Sequence, residues 1–153
     1  MKLAINGSRG KSGGAKNHLI SVLSIINPIK YGFSEVHLWT IPELKESFPK
    51  RSWLHIHIVK VSEKPILFQL FWEYIILFFP LKINKFDVLL NIDAGSLCRF
   101  NPSITMSRDM LAFEQGELNR LGFNLSALRQ IILKRIQCNS LRNSSKAIFL
   151  TKY

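Results

Sequence analysis

The chain predicts an α/β domain in which an open parallel sheet carries helices on both faces, an arrangement of Rossmann type. Apolar runs of strand length alternate along it with stretches of helical periodicity. One run, from Phe86 to Asp93, is almost continuously apolar through Val88, Leu89, Leu90 and Ile92, as suits a strand buried on both faces. A glycine-rich turn also leads from the first strand straight into the first helix. Strands joined through helices of this length imply right-handed crossovers and parallel neighbours. With 153 residues, 47% of them hydrophobic, the chain can build one sizeable core and not two.

Taken in order, Leu3 to Asn6 reads as the first strand and Gly7 to Gly14 as the turn. A helix starts near Ala15, with Leu19, Val22, Leu23 and Ile26 on one face and Pro28 as its stop. Val36 to Thr40 and Leu54 to Val61 are the second and third strands. Pro65 to Phe79 is a strongly apolar helix with proline at its first turn and Pro80 beyond its end. Phe86 to Asp93 is the fourth strand, and Pro102 to Met106 a short fifth. Leu125 to Ile136 is a helix with apolar residues at 125, 128, 131, 132 and 136, and Ala147 to Leu150 is the last strand.

The helix at 66 to 79 would span roughly 21 Å, short of the hydrocarbon core of about 30 Å. Gln69 and Glu73 interrupt it on one helical face. It is expected in the core, with an interfacial seat on a membrane as the other option, since Trp72, Tyr74, Lys82 and Lys85 suit a headgroup boundary. The N-terminus turns polar at Asn6 before an apolar run of signal-peptide length accumulates. Cys98 and Cys138 form no CxxC pair, so neither a disulfide framework nor a zinc site is implied. A cytoplasmic location is the expectation, extending to the inner face of the membrane if contact is made there.

The net charge of +11 is uneven. Residues 1–34 carry five bases and no acid, residues 118–153 carry seven bases and no acid, and the middle is near neutral. Basic ends of this kind can meet phosphate or anionic lipid, or can simply be solvated helix faces. The helix bearing Arg129, Lys134, Arg135 and Arg142 lacks aromatic interleaving and any nucleic-acid motif, so no nucleic-acid partner is expected.

Parallel sheets bind ligands beyond the carboxyl ends of their strands. The first such end is Asn6-Gly7-Ser8-Arg9-Gly10-Lys11-Ser12-Gly13-Gly14, leading into a helix, where backbone N–H groups and the helix dipole can hold a diphosphate. A full nucleoside-triphosphate loop would need glycine where this chain has Ile5. The shorter form Gly-x-x-Gly-Lys-Ser from Gly7 to Ser12 resembles the loop of ATP-dependent amide ligases of the Mur type.

A second resemblance spans the whole chain. Ser12-Gly13-Gly14-Ala15-Lys16-Asn17-His18-Leu19, Phe86-Asp87-Val88-Leu89-Leu90-Asn91, Ser107-Arg108-Asp109-Met110 through Glu114, and Ile148-Phe149-Leu150-Thr151-Lys152 resemble the N-terminal domain of a family 4 glycosyltransferase of the glycosyltransferase B fold. That resemblance implies a retaining transfer of sugar from a nucleoside diphosphate donor to a saccharide or lipid-linked acceptor, with no metal or other cofactor. It implies diphosphate and substrate contacts from Gly13, Gly14, Lys16, His18, Asn91 and Asp93, and a catalytic position at Arg108 and Asp109. Many family members have histidine at the position of Arg108, so the location carries over and the histidine's role does not. The family's donor-gripping residues belong to a second domain that would follow Tyr153, so residues 1–153 are expected to be an incomplete acceptor-side domain with no measurable transfer by itself. A non-catalytic α/β binding module is the third class.

Two further constellations are weaker. His55 and His57 share one face of a strand, a spacing that can ligate a metal, but no third ligand is evident near them in sequence. Both rings are expected to face solvent or a neighbouring helix. Asp93 and Asp109 could form an acid/base pair, and turn or helix capping accounts for either equally well.

Overall fold

The computed structural model describes residues 1–9, 13–107 and 125–149. Its strands are β1 (Lys2–Asn6), β2 (Glu35–Thr40), β3 (Leu54–Ile58), β4 (Val88–Asn91), β5 (Ser103–Ser107) and β6 (Lys146–Phe149). The α-helices are α1 (Gly13–Ile25), α2 (Ile66–Phe71), α3 (Phe78–Ile83) and α4 (Leu125–Asn143). Every strand pair is parallel, and the strands lie in the order β3-β2-β1-β4-β5-β6. This is the strand order of a doubly wound sheet, and it realises the open parallel, Rossmann-type arrangement expected from the alternation of strands and helices.

Strand alternation sorts the core into two halves. Ile5, Val36, Leu38, Leu54 and Ile92 point to one face and pack under Leu19 and Leu23 of α1. Ala4, Trp39 and Leu89 point to the other, under Leu77 and Leu81, with Phe86 and Phe100 closing that layer. The central strands are therefore covered on both sides, whereas β6 is exposed along its length, and the direction in which strands are added reverses between β1 and β4. That reversal opens the crevice in which doubly wound sheets hold ligands.

Several boundaries differ from expectation. The third strand stops at Ile58 instead of Val61: Val59 still bonds its N–H to the Thr40 carbonyl, and Lys60 then leaves the extended conformation for a 3-10 turn at Val61–Glu63. The fourth is shorter at both ends, since Phe86 serves the exit from α3 and Asp93 folds back on Gly95. The fifth is shifted by one residue and runs to Ser107. The helix predicted to end at Ile136 continues to Asn143, with neither proline nor glycine to stop it.

The apolar helix departs most from its expected form. It is α2, a π turn at Trp72–Ile76, and α3, and it runs past Pro80 to Ile83. Pro80 lies inside this continuous run, just after the π turn, the kind of local adjustment that accompanies an interior proline. The wider turn is closed by Leu77 donating its N–H to the Trp72 carbonyl. Only part of this helix is core: Glu73, Leu77 and Leu81 are buried, whereas Leu67, Phe68, Phe71, Phe79 and Ile83 are exposed. Among the described residues no helix is long and apolar enough to cross a membrane.

Candidate functional site

At the crevice between β1 and β4 the sheet ends in a closed polar network. Asn6 and Asn91, the last residues of these strands, are register neighbours. The Asn6 amide nitrogen faces Asn91 Oδ1 at 3.3 Å, Ser96 Oγ at 3.2 Å and Glu73 Oε1 at 3.4 Å. Its Oδ1 accepts from the Ser8 hydroxyl at 2.8 Å and from the Ser8 N–H at 3.3 Å. Asn91 donates to Thr105 Oγ1 at 3.3 Å, and Thr105 is bonded in turn to the Ser144 hydroxyl. Three parallel strands are thereby tied together by side chains where their own ladders run out.

An ion pair seals this network. Arg9, from the turn after β1, donates to Glu73 Oε2 at 3.0 Å and to the Gly95 carbonyl at 2.9 Å. Glu73 also accepts from the Leu97 N–H at 3.1 Å. Burial pushes the Glu73 carboxyl above the ordinary glutamate range, against the opposing pull of Arg9, the Leu97 N–H and Asn6. A Cβ at Gly95 would stand 2.8 Å from Arg9 Nη1, so a side chain there would push the end of the Arg9 side chain out of its seat. Sequence reasoning assigned no role to Arg9 or Glu73. The available signal was a lone carboxylate in the middle of the most apolar helix.

Of the residues singled out from sequence, Asn91 and Asp93 meet at this crevice. Asn91 is buried and commits its amide to Asn6 and Thr105. Asp93 is half-buried and accepts the Gly95 N–H at 2.8 Å, an Asx turn that shapes the loop after β4. Gly13, Gly14 and Lys16 lie in the first turn of α1, directly after the β1 turn. His18 is exposed and borders an apolar cavity of about 160 Å³ on the α1 face, lined also by Ile5, Val22, Ile92 and Met106. It is therefore on the opposite side of the sheet from Glu73. Arg108 and Asp109 lie outside the described residues, which leaves the suggested pairing of Asp93 with Asp109 without a geometry.

Beside the network is a cavity of about 260 Å³ with a mixed lining, in which Asn91, Ser96, Asn101, Asn139 and Ser144 alternate with Leu97 and Phe100. Amide and hydroxyl groups of this kind match a polyhydroxylated ligand in hydrogen-bonding capacity. Arg99 is held at its mouth by stacking over the Tyr74 ring, 4.0 Å from the centroid.

The histidine pair is not as isolated as its sequence context implied. Register sets His37 of β2 opposite His55, and Trp39 opposite His57, so four rings share one face of two neighbouring strands. His37 Nδ1 is 2.8 Å from His57 Nε2, and His37 Nε2 is 3.3 Å from Glu35 Oε2. Trp39 stacks on His57 and Phe86 stands edge-on to His37. Desolvation lowers the pKa of both His37 and His57. The donor atoms of Glu35, His37 and His55 lie within 4.8 Å of one another. His55 is exposed, as expected, whereas the expectation for His57 is corrected: its ring packs against Trp39 and His37 of β2, a partner that strand pairing alone could reveal.

No protein-family model matches the chain, and neither a curated protein nor a solved structure matches it.

Proposed function

We propose that this domain forms the acceptor-side wall of a retaining glycosyltransferase that uses a nucleoside diphosphate sugar. The observation that carries the reading is the sheet order, whose reversal between β1 and β4 is the position at which doubly wound sheets take their ligands, with α1 following β1 in sequence. Backbone N–H groups at Gly13 and Gly14 and the ammonium of Lys16 suit the donor diphosphate. In this reading Arg108 and Asp109, which follow the last residue of β5 in sequence, act at the reacting centre. The buried network of Asn6, Asn91, Arg9 and Glu73 gives the wall its rigidity. The 260 Å³ cavity, whose lining mixes amides and hydroxyls with Leu97, Cys98 and Phe100, suits a saccharide ring, which has both hydroxyl edges and apolar faces.

A lipid-linked acceptor would bring the domain to an anionic membrane. The exposed row of Leu67, Phe68, Phe71, Phe79 and Ile83, flanked by Lys64, Lys82 and Lys85, has the composition of a surface that sits at a headgroup boundary.

Amide-resolved NMR titration with UDP, GDP and ADP, and separately with ATP and magnesium, tests the nucleotide reading. Expected are millimolar-range shifts at Gly14 and Lys16 with the diphosphates. A clear preference for ATP with magnesium would move the assignment to the Mur-type ligase reading. Silence at Gly14 and Lys16 with every nucleotide would remove the diphosphate contact assigned to α1 and favour a non-catalytic binding module.

A further inference from the structure

We infer that Glu35, His37 and His55 form a site for a divalent ion of the zinc class, on the face shared by β2 and β3. The donor set is two imidazoles and a carboxylate, which suits zinc and its late first-row neighbours better than magnesium or calcium. Bonds of about 2.1 Å at tetrahedral angles set neighbouring donor atoms roughly 3.4 Å apart. The Glu35 Oε2 to His37 Nε2 separation is already 3.3 Å. All three donors fall within 4.8 Å of one another, and His55 is exposed, so its ring has room to close the remaining gap.

The remaining parts of a metal site are also present. An ion on His37 Nε2 leaves the proton on Nδ1, which points at His57 Nε2 2.8 Å away. That is the outer partner a ligating histidine needs to hold its tautomer and ring angle. The His37 ring is fixed besides by Phe86 edge-on at 4.8 Å, and His57 by Trp39 at 4.6 Å, so the inner ligand is oriented before an ion arrives. Solvent reaches the cluster at Glu35 and His55, leaving a fourth position for water. The opposing group is Lys2, whose ammonium is 3.2 Å from Glu35 Oε2. Its side chain is 40% exposed and can swing clear, so it acts as a competitor of the ion and not as a barrier.

Cobalt(II) serves as the spectroscopic probe, because four-coordinate cobalt absorbs strongly in the visible and zinc displaces it. The wild-type chain is expected to show that absorption and to lose it on adding zinc. His55→Ala and Glu35→Gln should weaken binding on the order of a hundredfold or more, and His57→Gln only about tenfold. His18→Ala should bind as wild type, and Lys2→Gln more tightly. His55 is exposed and outside the core clusters, so its variant keeps the test valid even if changes at His37 unfold the sheet. Absence of the visible bands in the wild type, or wild-type affinity in both His55→Ala and Glu35→Gln, overturns the proposal. Loss in His57→Gln as complete as in His55→Ala would also overturn it, since the ion would then be held by the β3 pair alone.

Discussion

A carboxylate at 1% exposure within an apolar helix is tolerated only when each oxygen finds a donor, and Glu73 meets that condition through Arg9, Leu97 and Asn6. Removing one member of the pair strands the other. Glu73→Leu or Arg9→Met alone should therefore cost about 3–5 kcal/mol in urea unfolding. The double variant should cost less than the sum of the two, and strictly additive losses would mean the pair is not coupled. Burial raises the Glu73 pKa in the folded state, so the native form holds that proton more tightly than the unfolded chain does. The resulting stabilisation is complete below the ordinary glutamate range and is lost as pH rises through the raised value. Across that window wild type should lose stability relative to Glu73→Gln, and a difference that stays flat would contradict the raised pKa. The residue was visible in the sequence as an anomaly; its partners lie 24, 64 and 67 positions away and could not be read there.

The π turn and the end of α3 show how an element is adjusted to serve a site. The wide turn at Trp72–Ile76 delivers Glu73 to the sheet while Leu77 and Leu81 stay in the core. The helix then ends in a Schellman arrangement. Phe86 N–H bonds to the Leu81 carbonyl and Lys85 N–H to that of Lys82, while Phe86 and Leu81 belong to one apolar cluster. The left-handed position is held by Lys85 at φ 52°, where glycine is the unstrained residue. Lys85→Gly should raise stability by up to about 1 kcal/mol, measured as a shift in the denaturant midpoint; a loss would show that the lysine side chain contributes more than its backbone costs. Element type was legible because periodicity and apolar content are local. Ends were less so, since Ile58, Phe86 and Ile83 stop or continue their elements according to neighbours from other parts of the chain.

For the molecule as a whole, the two apolar surfaces have different fates. One is consumed between the helices and the sheet, and the other remains on the outer side of α2 and α3. The membrane reading predicts co-sedimentation of the protein with phosphatidylglycerol vesicles at low salt. Phe68→Ser combined with Phe71→Ser should reduce it severalfold without unfolding the domain, as both rings are exposed. No sedimentation of the wild type, or none of it lost in the variant, would dispose of that contact.

Strand-helix alternation and the long apolar run of β4 were enough for the fold class, because a parallel sheet demands crossovers and two-sided burial. They also located Asn91 and Asp93 at a strand end. Whether those groups remain available was a matter for tertiary structure: Asn91 is committed to Asn6 and Thr105, and Asp93 to its own turn. The grouping of Glu35, His37 and His55 needed β2 and β3 side by side in one register. The physical division follows the range of the forces involved. Helical and strand periodicity act over a few residues and are written in the chain, whereas ion pairs and ligand clusters arise only between residues that folding brings together.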